Sequence, residues 1–194
     1  MTEADYTSLP YPKKPEPPRL PRNPFRWPRP GDIPEPWETL LTPFLVIRAS
    51  PDDDGTRPVA SIGGGSPDIV IVGPTITVFT LGSGTAHLVP APGFDQEIAV
   101  RIWNFGSDST VASRIRFWEV RTLQGSEPEP RLIGTAYRGV PSESSVLVHC
   151  PQVWHPTDIS RVSVMVDVSD TLNDPVTFHP LSDRHVAQKI IVSD

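Results

Sequence analysis

The run RVSVMVDV, residues 161 to 168, constrains this chain more than any other stretch. Val162, Val164, Val166 and Val168 fall on one face, and Ser163, Met165 and Asp167 on the other. That is the period of two of a β-strand, carried by β-branched side chains that suit a pleated surface and fit a helix poorly. Ile98, Val100 and Ile102 alternate with Ala99, Arg101 and Trp103, and Ile115 and Phe117 alternate with Arg114, Arg116 and Trp118. Ile69 to Val72, Leu132-Ile133, Val146 to Val148 and Lys189 to Val192 are further short β-prone runs. No i, i+3, i+4 apolar pattern persists beyond two turns. About seven strands in about 125 residues leave no room for crossover helices. The fold class expected is therefore all-β: an immunoglobulin-like antiparallel β-sandwich with inward apolar and outward polar faces.

The front of the chain obeys a different rule. Twelve prolines fall within the first 43 positions, and each fixes φ and removes a backbone donor, which excludes helix and central strand there. Pro12, Pro15, Pro18, Pro21 and Pro24 recur at every third position. Polyproline II has three residues per turn, so this series forms one row on a rod about 37 Å long. The adjacent row, Lys13, Glu16, Arg19, Arg22 and Phe25, is largely charged, and the rod has nothing to bury against itself. A solvated tail is the simplest reading of such composition. Phe25, Trp27, Ile33, Trp37, Leu40 and Leu41 are apolar side chains that a solubilising tail does not need. The organisation expected is an extended arm over 1–43, a short β-hairpin and Gly-rich joint over 44–66, and the sandwich over 67–194. The hairpin is placed around the Pro-Asp-Asp-Asp-Gly turn at 51–55 and the joint at GGGS, 63–66.

Charge and cysteine content exclude several functions. A formal net charge of -6 opposes nucleic-acid binding by the chain as a whole, although residues 13 to 29 hold six cations against the single acid Glu16. Cys150 is the only cysteine, so neither an intrachain disulfide nor a cysteine-rich zinc site is available. No apolar run reaches the roughly 20 residues of a membrane helix, and none reads as the core of a secretory signal. An extracellular, cell-surface or particle-associated setting is expected, reached with a signal already removed or by a route that needs none.

Four stretches carry a family resemblance. Pro67-Asp68-Ile69 opens the domain, Asn104-Phe105-Gly106 follows the second strand, Val166-Asp167 lies in a late strand, and a short strand from Arg184 onward closes it. In that order they resemble the bacterial cell-adhesion-related immunoglobulin-like domain, CARDB, over residues 67–192. The chain departs from the pattern at Asp183-Arg184-His185 and in the insertion GSEPEPR, 125–131. The resemblance implies an interaction or spacer module that is not an enzyme.

Candidate chemistry is sparse. There is no Gly-x-Ser-x-Gly elbow, no HExxH and no phosphate loop preceding a helix, so no catalytic residue is expected. Cys150 lies near His149 and His155, but adjacent strand residues face opposite ways, which favours a half-buried thiol over a nucleophile. His179 and His185 could meet His149 or His155 at one end of a sandwich as a zinc or nickel site. Their spacing, and that of the dispersed His87, matches no ligand pattern, so hydrogen-bonding roles are expected and no metal. Asp167, Asp170, Asn173 and Asp174 lack the alternation of a calcium loop, and Asp170, Asn173 and Asp174 suit turn amides instead. No cofactor is expected.

The binding candidates are of two kinds. Pro12, Pro15, Pro18, Pro21, Pro24, Phe25, Trp27 and Trp37 are the residues expected to meet a protein partner, with Pro21 to Arg26 also matching a PxxPx+ ligand. Trp103 and Trp118 lie opposite the apolar stripes, where indoles can stack on a sugar or a partner's proline or cover the open core. Trp154 is placed in a loop. The function expected is a structural or interaction subunit whose arm docks on a neighbouring subunit of a homo- or hetero-oligomeric assembly. The alternative is a carbohydrate-binding or adhesive module using Trp103 and Trp118.

Overall fold

Every regular element among the described residues is a strand, as the β-branched runs require. The computed structural model describes residues 42–61, 65–79, 86–121, 128–170 and 178–191. Its elements are β1 Leu45–Val46, β2 Ile69–Val72, β3 Thr75–Phe79, β4 Ala86–Pro90, β5 Glu97–Asn104, β6 Ser113–Arg121, β7 Glu129–Arg138, β8 Ser144–His149, β9 Val162–Ser169 and β10 Val186–Ile190. The residues expected to form the arm, apart from Thr42 and Pro43, lie outside the described residues, as do Gly63 and Gly64.

Two four-stranded sheets pack face to face, as an immunoglobulin-like sandwich. In the first, β5 is central, with β8 along one side (Ala99↔His149 through Asn104↔Ser144). On its other side β1 and β2 lie end to end (Leu45↔Asn104, Ile69↔Val100). The second runs β10-β9-β6-β7, and every pairing is antiparallel. A separate hairpin, β3-β4, sends Val78 and Val89 toward the core. Ile98, Val100 and Ile102 of β5 face Ile115 and Phe117 of β6 and the four valines of β9 across the middle, all of them buried. Each such side chain contributes about 1.5–3 kcal/mol on burial.

Three expectations need correction. Among the described residues, 44–61 form no hairpin of their own. β1 joins β5, and Ile47 N donates to Arg184 O and Val59 N to Leu181 O, so the segment lies against the main body. The reason is apolar content: Leu45, Val46 and Ile47 are all buried, which a free hairpin cannot achieve. The turn at 51–55 is organised by Asp53, whose carboxylate accepts from Ala49 N, Gly55 N and the Arg57 guanidinium. Burial alone would push Asp53 up, but these bonds more than offset it and hold it below the ordinary carboxylate range.

The second correction concerns β9, which is buried on both faces. It lies between β10 and β6, and on its outer side Met165 packs with Val120, Val186 and Trp118 in a small second cluster. Third, the closing strand is Val186–Ile190: it follows Arg184, as the family resemblance implies, but starts three residues ahead of the run Lys189 to Val192.

Candidate functional site

The segment expected to form the arm runs through Thr42 and Pro43 into Phe44, its root, and Asn104 fastens the chain there. This amide is fully buried at the end of β5. Its Oδ1 accepts from Phe44 N and Gly106 N, both at 3.0 Å, and its Nδ2 donates to the Asp108 and Val140 carbonyls at 2.7 and 3.3 Å. Phe105 N donates to Phe44 O, which completes the grip on the backbone. The Phe44 ring lies under the Arg184 guanidinium at 4.2 Å. Asp183 Oδ1 receives His185 N and faces His185 Nδ1, both at 2.9 Å, bracing the Asp183-Arg184-His185 loop that departs from the CARDB pattern.

Gly106 has to be glycine for a steric reason. A Cβ there would collide with the Thr42 carbonyl oxygen and lie 2.6 Å from Phe44 N. Gly106→Ala should therefore displace the root, with a loss of about 1–3 kcal/mol. A urea midpoint that stays at the wild-type value would refute this account of the turn.

The two tryptophans named as stacking candidates occupy parallel arrangements on opposite sheets. Trp103 Nε1 donates to Asp68 Oδ2 at 3.0 Å, and Arg48 grips the same carboxylate through Nε and a terminal nitrogen at 3.0 and 2.8 Å. The Arg48 guanidinium stands 4.4 Å over the Trp103 ring, and the Phe105 ring is 5.8 Å away. The hydrogen bond to Asp68 holds Arg48 above its ordinary pKa. On the second sheet, Trp118 Nε1 and Arg116 Nε donate to Asp167 at 2.7 and 2.9 Å. Arg116 lies 5.2 Å over the Trp118 ring, and Phe178 meets its edge at 5.2 Å. Both indoles are half-buried.

A third arrangement of this kind lies inside the sandwich. Trp154 is fully buried and donates to Glu119 Oε2 at 2.7 Å, while Arg121 and Arg131 reach the same carboxylate at 2.7 and 2.8 Å. Trp154 also exchanges backbone hydrogen bonds with Gln96, so this residue ties the β5 side to β6. Burial would raise Glu119, but the bonds from Trp154, Arg131 and Arg121 more than offset that and hold it low. Glu119 and Arg48 carry no signal in the sequence reading, and Asp68 enters it only as part of the Pro67-Asp68-Ile69 motif. The usable signal was the Arg-x-Trp spacing of Arg116 and Trp118, which puts both on one strand face opposite Asp167.

The remaining chemistry is dispersed. A shallow cleft of about 390 Å³ is lined by Glu119, Arg121, Glu129, Arg131, His155 and Thr157, and its formal charges balance. His155 faces Asp95, and His179 faces Ser182. Among the described residues no three His, Cys, Asp or Glu side chains gather where a metal ion could be held. Asn173 and Asp174 lie outside the described residues, as do all eight arm residues from Pro12 to Trp37. Cys150 is half-buried while His149 is exposed, and burial pushes the thiol up despite a backbone hydrogen bond from Gln152.

No family model matches this chain, and no curated protein matches its sequence. Among solved structures it is similar to the CARDB domain of the PF1109 protein from Pyrococcus furiosus, a complex with di-metal ions. That likeness has a TM-score of 0.43 at 14% identity and covers 78% of this chain and 88% of that one. It is also similar to the β-D-glucoside glucohydrolase of Trichoderma reesei, with a TM-score of 0.30 at 14% identity over 63% of this chain. A third likeness is to DesR, a β-glucosidase from Streptomyces venezuelae in complex with D-glucose, with a TM-score of 0.29 at 9% identity over 66% of this chain. This chain covers only 19% and 15% of those two glycosidases. With TM-scores below 0.5, none of the three decides an activity, a ligand or a partner. No helix among the described residues is long and apolar enough to cross a membrane.

Proposed function

We propose that this chain is a non-enzymatic, CARDB-like interaction subunit whose proline-rich arm docks on a neighbouring subunit of an assembly while the sandwich is displayed. The observation that carries the reading is the row Pro12, Pro15, Pro18, Pro21 and Pro24. A segment already extended by its prolines loses little entropy when it lies in a groove, and Phe25, Trp27 and Trp37 supply apolar anchors. The grip of Asn104 on Phe44 supports it too, because an arm rooted in the sandwich transmits its attachment to the displayed domain. The half-buried rings of Trp103 and Trp118 favour the second reading, a carbohydrate-binding module that stacks sugars on its indoles.

Deleting residues 1–41 leaves the root in place and tests the first reading. The truncated chain should keep its thermal unfolding transition and lose its partner, read by native mass spectrometry of the assembly. An assembly of unchanged composition would sink the arm hypothesis. If that chain, or the full one, bound glycans and lost the binding on Trp103→Ala, the carbohydrate reading would take its place.

A further inference from the structure

Edge strands expose unpaired backbone donors and acceptors, and proteins blunt them with charge, proline or brevity. Among the described residues, three of the four sheet edges of the sandwich are protected in this way. β7 carries Glu129, Pro130, Arg131 and Arg138; β10 carries Lys189; and β1 and β2 have only two and four residues. β8 is the exception. Its six residues, Ser144 to His149, include no proline, no Lys, Arg, Asp or Glu, and among the described residues they pair only with β5.

The hydrogen-bond parity shows what this edge offers. Cys150 N donates to Ile98 O, and Arg101 N donates to Asp68 O on the opposite side of β5. Even-numbered residues of β8 therefore point their backbone groups at β5, while Ser145, Leu147 and His149 point theirs outward. The side chains of these three residues share the outer face of the sheet, where Leu147 is 46% exposed.

We infer that β8 is a homodimerisation edge, pairing antiparallel with β8 of a second copy about a twofold axis at Leu147. In that register Leu147 faces its own counterpart and Ser145 faces His149, which gives about six new backbone hydrogen bonds. Pro151 has no N–H and ends the ladder. The two Leu147 side chains meet on the outer face, and no like charges are brought together along the strand. The arm is excluded as the occupant, because prolines at every third position cannot supply the alternating donors that a paired strand needs. The dimer is thus independent of the arm's own docking.

Light scattering of the full-length chain across a range of concentrations, with hydrogen exchange, tests this. The expected result is a dimer in which the Ser145, Leu147 and His149 amides exchange more slowly as concentration rises. Leu147→Lys should yield a folded monomer that unfolds at the temperature the wild type shows when diluted to monomer, and binding to an arm partner should persist. Ser145→Pro, which removes an outward N–H and leaves the β5 ladder whole, should weaken the dimer by at least tenfold even if the lysine variant folds poorly. A chain that is monomeric at all concentrations overturns the inference, as does a dimer that both variants leave intact.

Discussion

Glu119→Ala is expected to cost about 2–4 kcal/mol of folding stability, a large share of the roughly 5–15 kcal/mol typical of such a domain. The side chain is buried, and its loss leaves a gap and strands the buried Trp154 indole N–H, while the more exposed Arg121 and Arg131 guanidinium groups turn to water. Urea unfolding at neutral pH reads the effect directly. A deficit below 1 kcal/mol would mean that water or Glu129 substitutes for the carboxylate. Trp154→Phe keeps the ring and deletes the donor, so it should cost less. In combination with Glu119→Ala the two deficits should fall short of their sum, because both remove the same bond. The pH dependence has a definite sign. Glu119 and Asp53 are held below their unfolded-state pKa values, so their contribution is present above the ordinary carboxylate range and is lost as pH falls through the folded-state values. The deficit of Glu119→Gln relative to wild type should therefore shrink on acidification. A deficit constant from neutral pH to the end of the acid transition would contradict the assignment.

The second large effect is expected at Asn104, whose amide serves four backbone groups at once. Asn104→Ala leaves two N–H groups and two carbonyls to find other partners, at about 1–3 kcal/mol for each that stays buried and unpaired. A total loss of about 3 kcal/mol or more should appear in the urea midpoint. Faster hydrogen exchange at Phe44 and Gly106 should accompany it. Asn104→Asp is a sharper test, since it aims a carboxylate at the Asp108 and Val140 carbonyls in place of two donors. Its neutral form is then favoured in the folded state, so this variant should regain stability relative to wild type as pH falls. An aspartate variant as stable as wild type at neutral pH would show that the side chain does not hold the root.

Much of the sandwich could be read from alternation alone. The stripes of β5, β6 and β9 are cut by turns and too short for helices, and an apolar face repeated every second residue has no other way to leave water. The sandwich's partner strands were harder to see. β1 has two residues, too few for any periodicity, and it becomes a strand only because Asn104 and Arg184 hold the backbone beside it. Thr75–Phe79 and Ala86–Pro90 pair with each other and lie outside the runs that alternation marks. The tryptophans illustrate the same limit at the candidate site. Spacing placed Trp103 and Trp118 on the outer faces correctly, while their bonds to Asp68 and Asp167 span 35 and 49 positions of sequence.

What the sequence determined by itself was local: the period of two, the proline row with its three-residue turn, and the absence of any second cysteine. These follow from backbone sterics and covalent chemistry, which act between near neighbours and need no fold to operate. What the tertiary structure decided was which carboxylate meets which indole, that β9 is buried on both faces, and that β8 is left as the long uncharged edge. Such outcomes depend on which strands lie side by side, and that is settled by the burial of the whole core and not by any one segment.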